Sequence, residues 1–165
     1  IRVSGGYAYV DTSINEMFVT PGSYTGNDPI ATIEQAPAGT KLPSTPDHTV
    51  NLTVAHTALL VDGVELITRI DGYYQAETTN AIQVNDPNFA QDFSGFSLWG
   101  ASSSLITDSW PVRFYARTLF NEEGTTAEYK EESYRSDPAN GFFGTGQKEF
   151  IANLRTLGVS ASYGF

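Results

Sequence analysis

The side chains best suited to chemistry in this chain are Glu65, Arg69 and Asp71 in one segment and Arg113 and Arg117 in another. Their spacings are all even, so in an extended backbone each set lies on one face. Guanidinium groups grip carboxylates and phosphates through paired hydrogen bonds. Such a set fits two roles: part of a ligand path, or a charged network that holds neighbouring protein. His48 and His56 also share a strand face, but metal ligation needs convergent donors. The sequence supplies no others, and ordinary strand residues are expected there. Glu122, Glu123, Glu128, Glu131, Glu132 and Asp137 outnumber Lys130 and Arg135 in an acidic stretch. Ca²⁺ favours such oxygens, but the regular spacing of a ligand loop is missing, so a solvated loop is expected. No paired carboxylates, Ser/His/Asp set or phosphate-cradling glycine loop stands out. Neither an enzyme nor a cofactor is expected.

Composition narrows the classes. At 165 residues the chain suits one ordinary domain. Cysteine is absent, which removes disulfides and thiolate metal sites. A net charge of −10 argues against nucleic acid as a partner, since that needs a basic face. Aromatics reach 13%, with nine Tyr, alongside abundant Thr, Ser and Gly, a bias that suits strands and turns. Neither a signal peptide nor a run of about eighteen apolar residues is present. Barrel strands never produce such a run, so a membrane protein stays open. The chain starts at Ile1 inside a strand-like pattern, and the expectation is that it is the C-terminal piece of something larger.

Six strands are expected to position these residues. The first covers about 1–12, with Ile1, Val3, Tyr7 and Tyr9 on one face. The second, about 48–60, sets Val50, Leu52 and Val54 against Thr49, Asn51 and Thr53. Asp62-Gly63 makes a hairpin turn, and the third, about 64–76, sets Val64, Leu66, Ile70 and Tyr74 against Glu65, Arg69 and Asp71. The fourth, about 95–106, is ambiguous: Phe96, Leu98 and Ile106 share one face and Trp99, Ala101 and Leu105 the other. A short turn at Asp108-Ser109 leads to the fifth, about 110–120, where Val112, Phe114 and Ala116 oppose Arg113, Tyr115 and Arg117. The last, Leu157–Phe165, alternates large apolar residues with Gly158, Ser160, Ser162 and Gly164. Connections run long, short, medium, short, long, the asymmetry of outer-membrane barrels. Tyr74 and Phe120 each lie about eleven residues beyond a short turn, roughly the height of an apolar band between aromatic girdles.

The closing strand, with Tyr163 third from the end and Phe165 last, resembles the terminal strand of bacterial outer-membrane barrels. That resemblance implies that the barrel-assembly machinery reads Tyr163 and Phe165. Further motifs narrow it. The stretch Gly39-Thr-Lys-Leu-Pro-Ser-Thr-Pro-Asp-His-Thr-Val-Asn-Leu52 looks like a loop-to-strand passage late in the barrels of TonB-dependent receptors. Ile70-Asp71-Gly72-Tyr73-Tyr74 is similar to the tyrosine-rich strand that follows there. Trp110 to Asn121 resembles a late strand of that family, with Thr118 where Asn is usual, and Arg155-Thr156-Leu157-Gly158 matches the usual start of the last strand.

The resemblance implies an all-β antiparallel meander of about six strands within a 22-stranded transmembrane barrel, the plug domain and N-terminal barrel strands lying outside this chain. It implies the outer membrane of a Gram-negative bacterium and active uptake of a scarce ligand, such as a siderophore-iron complex, a cobalamin-like compound or an oligosaccharide. Partners would be the TonB energy-coupling system, the assembly machinery and outer-membrane lipid. Arg69, Asp71, Arg113 and Arg117 would then face the lumen, as ligand path or plug contact. Two other classes remain: a complete small barrel serving as adhesin or anchor, and a soluble β-sandwich binding module.

Overall fold

Alternation of apolar and polar residues over segments of six to fourteen residues dictates strands with two unlike faces, and the protein is built of them. A computed structural model describes residues 1–21, 32–82, 91–130 and 147–163. In chain order the elements are β1 (Arg2–Tyr9), β2 (Phe18–Pro21), β3 (Thr32–Ala36), β4 (His48–Val61), β5 (Val64–Gln75) and β6 (Thr78–Thr79). There follow β7 (Asp92–Phe93), β8 (Phe96–Ile106), β9 (Pro111–Arg117), β10 (Thr125–Lys130), β11 (Gln147–Ile151) and β12 (Thr156–Ala161). Among the described residues there is no helix.

Six of these strands form one antiparallel sheet in the order β1-β4-β5-β8-β9-β12, a meander in which each strand pairs with the next long strand of the chain. These are the six strands expected from sequence. The sheet is open: β1 and β12 are its edges and do not pair with each other. Two tight turns, Asp62-Gly63 and 107–110, lie side by side at one end. Gly63 takes φ +77, which its lack of a side chain permits, and it sits against the Asp108 carboxylate. The three longer connections all emerge at the opposite end.

Those connections are not plain loops, as the sequence reading had them. Each carries a two-stranded ladder of its own: β2 with β3, β6 with β7, and β10 with β11. The alternation within each is too short to stand out in sequence, although Phe18-Val19-Thr20 and Thr32-Ile33 are favourable strand formers.

Three strand ends fall short of expectation, and backbone chemistry explains two. The fifth expected strand stops at Arg117 because Thr118 adopts φ 46 and Asn121 φ 55. A left-handed residue cannot continue a strand. Thr118 is nearly buried and its hydroxyl donates to the Asn153 carbonyl at 2.7 Å. The last strand ends at Ala161, with one further bond from the Ser162 N–H to the Pro111 carbonyl. Pro111 opens β9 and has no N–H to offer in return. β1 ends at Tyr9, with the Val10 N–H donating to the Asp47 carbonyl at 3.0 Å.

Cross-strand partners share a face, so the register sorts the side chains. On one face Val3, Val54, Ile70, Ala101, Ala116 and Leu157 form a row across the whole sheet. The neighbouring row on that face carries His56, Thr68, Ser103, Phe114 and Val159. The ambiguous strand is thereby resolved: Trp99, Ala101 and Leu105 lie on the apolar face, Phe96, Leu98 and Ile106 on the polar one.

Candidate functional site

Among the described residues no protein layer covers the apolar face. Ile70 is 47% exposed and Phe114 56%, and Val50, Leu52 and Val159 are exposed as well. Among the described residues the buried apolar side chains are Ala36, Phe93 and Phe96, none of them on this face. A chain of this size in water would hide most of its large aliphatics. At the long-loop end the face is rimmed by Tyr7, Tyr9, His48, Tyr74 and Trp99. The Tyr7 hydroxyl and His48 Nδ1 are hydrogen-bonded at 2.9 Å, and the Tyr9 ring lies 5.1 Å from the same imidazole. At the other end Trp110 is exposed. From Tyr74 to Val64, the level of the lower turn, runs about ten residues, or roughly 33 Å of strand. At the usual barrel tilt this spans about 23 Å, close to the apolar band of outer-membrane barrels.

The polar face carries all five charged residues singled out in sequence. Asp71 and Arg69 form an ion pair, with Arg69 Nε donating at 2.7 Å and Nη2 at 2.6 Å from the same carboxylate oxygen. Thr53, directly across on β4, donates to that carboxylate at 2.9 Å. Two strands away, the guanidinium carbons of Arg113 and Arg117 lie 6.0 and 5.4 Å from the centroid of the Tyr115 ring. Both distances suit cation–π attraction. Arg113 Nη2 also donates to Ser102 Oγ at 3.3 Å. The phenol end of Tyr115 in turn lies against Gly158 of β12, where a Cβ would collide with Cζ and the hydroxyl oxygen. Between these groups lies a groove of about 550 Å³ floored by Gly100 and Ser102. Glu65 sits on the same face near the turn end, without an ion pair among the described residues.

Sequence reasoning named the charges but missed what arranges them. Tyr115 sits between Arg113 and Arg117 at period two, a visible signal. Thr53 and Ser102 become partners only once register is known. Glu122, assigned to a solvated acidic loop, accepts hydrogen bonds from the Ser97 N–H and hydroxyl at 3.0 and 3.1 Å, closing the loop over the end of β8. Beneath it Phe96 packs against Tyr73 and the backbone of Gly124. In the first long connection Lys41 pairs with Asp47, whose hydrogen bond holds the ammonium above its ordinary pKa.

His48 is engaged with two tyrosines, and His56 lies on the apolar face opposite Thr68. Among the described residues no group of three His, Cys, Asp or Glu is placed to hold a metal. Of the residues expected to form the assembly signal, Tyr163 is 64% exposed beyond the end of β12, and Phe165 lies outside the described residues. Residues 131–146 of the acidic stretch lie outside them too. No protein-family model, curated protein or solved structure matches this chain.

Proposed function

We propose that this chain is a piece of the wall of a TonB-dependent receptor in the bacterial outer membrane, six strands of a 22-stranded barrel. The apolar face meets lipid and the polar face lines the lumen. The remaining strands and a plug come from the rest of the protein. The observation that carries the reading is a single-layer sheet with one uncovered apolar face bounded by aromatics and one charged face. Lipid supplies what a second protein layer supplies in a β-sandwich, and no second sheet covers this one among the described residues. The open edges at β1 and β12 need partners, because unpaired backbone groups are not tolerated in hydrocarbon. That requirement favours a larger closed wall over a small barrel made from these strands alone. The function is then energised import of a scarce ligand, the TonB system acting through the plug region, with no catalytic step.

The test uses the full-length protein. It should fractionate with the outer membrane and migrate as a heat-modifiable band, the behaviour of a closed barrel. Deleting Phe165 should lower its outer-membrane abundance sharply while leaving refolding into detergent micelles nearly intact, because a terminal aromatic has little protein around it to bury. Equal, severe loss in both measurements would make Phe165 a packing residue and remove the assembly-signal reading. A soluble, monodisperse protein without detergent would overturn the membrane assignment.

A further inference from the structure

We propose that Arg113, Tyr115 and Arg117 form a binding site for a small oxyanion, a carboxylate or a phosphate, on the polar face. The site's part in uptake rests on the barrel reading; its chemistry does not. Charge is the first argument. Asp71 is already matched by Arg69, and the ion pairs among the described residues are Arg69–Asp71 and Lys41–Asp47. Among the described residues Arg113 and Arg117 have none, so the groove holds two cations without a carboxylate of their own, beside an Asp71 already bound by Arg69, in a chain of net charge −10. Arg113 acts on Asp71 only at longer range.

Preorganisation is the second argument. Free arginines on a strand sweep a wide volume, and fixing them costs side-chain entropy on binding. Here both are held over one ring, and the ring is held by the absence of a side chain at Gly158. Cation–π contact leaves the N–H edges of a guanidinium free, and those edges recognise carboxylate or phosphate oxygens in pairs. Space is the third. Gly100 and Ser102 leave the groove low, and Ser102 and Ser160 are among the residues that line it. A neutral sugar would leave both charges unanswered; a cation would be repelled.

Calorimetric titration of the detergent-purified full-length protein with sodium citrate, inorganic phosphate and maltose tests the proposal. Citrate or phosphate should bind and maltose should not stand in for them. The paired substitution Arg113→Gln, Arg117→Gln should weaken anion binding at least tenfold, whereas Arg2→Gln, also on the polar face but outside the groove, should leave it unchanged. Which anion binds more tightly identifies the oxyanion class. No binding of either anion, or binding indifferent to the paired substitution, would overturn the site. So would a fall in melting temperature of the paired variant with no anion binding, since the arginines would then be holding a carboxylate of the protein itself. Membrane fractionation of the same samples keeps the two readings apart: anion binding by a protein absent from the outer membrane would leave the site standing and remove the barrel.

Discussion

The two faces of the sheet share one backbone, one register and the same strands, yet they are built on opposite rules. The polar face is specific: Asp71 has named partners at hydrogen-bond distance, and Tyr115 fits over a glycine. On the apolar face, Ile70, Phe114 and Val159 are placed by row alone and are exposed, with no second layer over them among the described residues. Directional contacts are needed where water or a ligand competes for polar groups. A fluid hydrocarbon solvent asks only for apolar surface and tolerates many shapes. On the reading proposed above, the difference between the faces is a difference of solvent.

The strongest way to break this comparison is to place one charge on each side of β4. Val54→Arg puts a guanidinium near mid-band on the apolar face and should cost about 2–4 kcal/mol of stability in a bilayer. Thr57→Arg, on the polar face, should stay within about 0.5 kcal/mol, as exposed substitutions do. Denaturant titration of the full-length protein in lipid vesicles reads both; equal costs would mean that the apolar face does not meet lipid.

Shape offers the next test. Gly158→Val must displace the Tyr115 ring and should destabilise by about 1–3 kcal/mol, the usual cost of overpacking. Its neighbour Leu157→Ile, on the other face, should be close to neutral in the same titration. Loss of the Arg113 and Arg117 geometry should accompany only the first change, visible as altered tyrosine fluorescence on adding citrate.

Thr118 sharpens the comparison at the strand end. A β-branched residue at positive φ is strained, and Asn tolerates that region far better. Thr118→Asn should therefore stabilise by up to about 1 kcal/mol, provided its amide replaces the hydroxyl bond to Asn153. A clear loss would mean that the Thr118 hydroxyl outweighs the strain. The smallest effect belongs to Lys41. Its raised pKa means that whatever its pairing with Asp47 contributes is present below the ordinary lysine value and lost only as pH rises beyond it. Lys41→Met should leave the stability profile between pH 6 and 9 unchanged in shape.

Much of the site was legible because the relevant signal is local. Even spacing alone places Arg69 with Asp71 and Arg113 with Arg117. Thr118 is instructive in another way: the departure from the sequence pattern this segment resembles falls at the residue that turns left-handed, where Asn would sit easily. What stayed hidden depends on register. Phe96-to-Ile106 carries large residues on both faces, so its orientation could not be read from periodicity; pairing with β5 and β9 decides it.

The sequence by itself determined the six long strands, the apolar face of five of them, where the tight turns fall and that the charges are grouped on one side. All of these follow from period-two alternation and turn chemistry, which act over a few residues. Only the tertiary structure decided that Thr53 meets Asp71, that Tyr115 lies over Gly158 and that Glu122 closes over Ser97. Those contacts join residues 18 to 43 positions apart, and they exist only once the backbone hydrogen bonds have fixed which residue stands opposite which. The same is true of the uncovered face: alternation announces an apolar side, but only the assembled sheet reveals that nothing in the described chain is packed upon it.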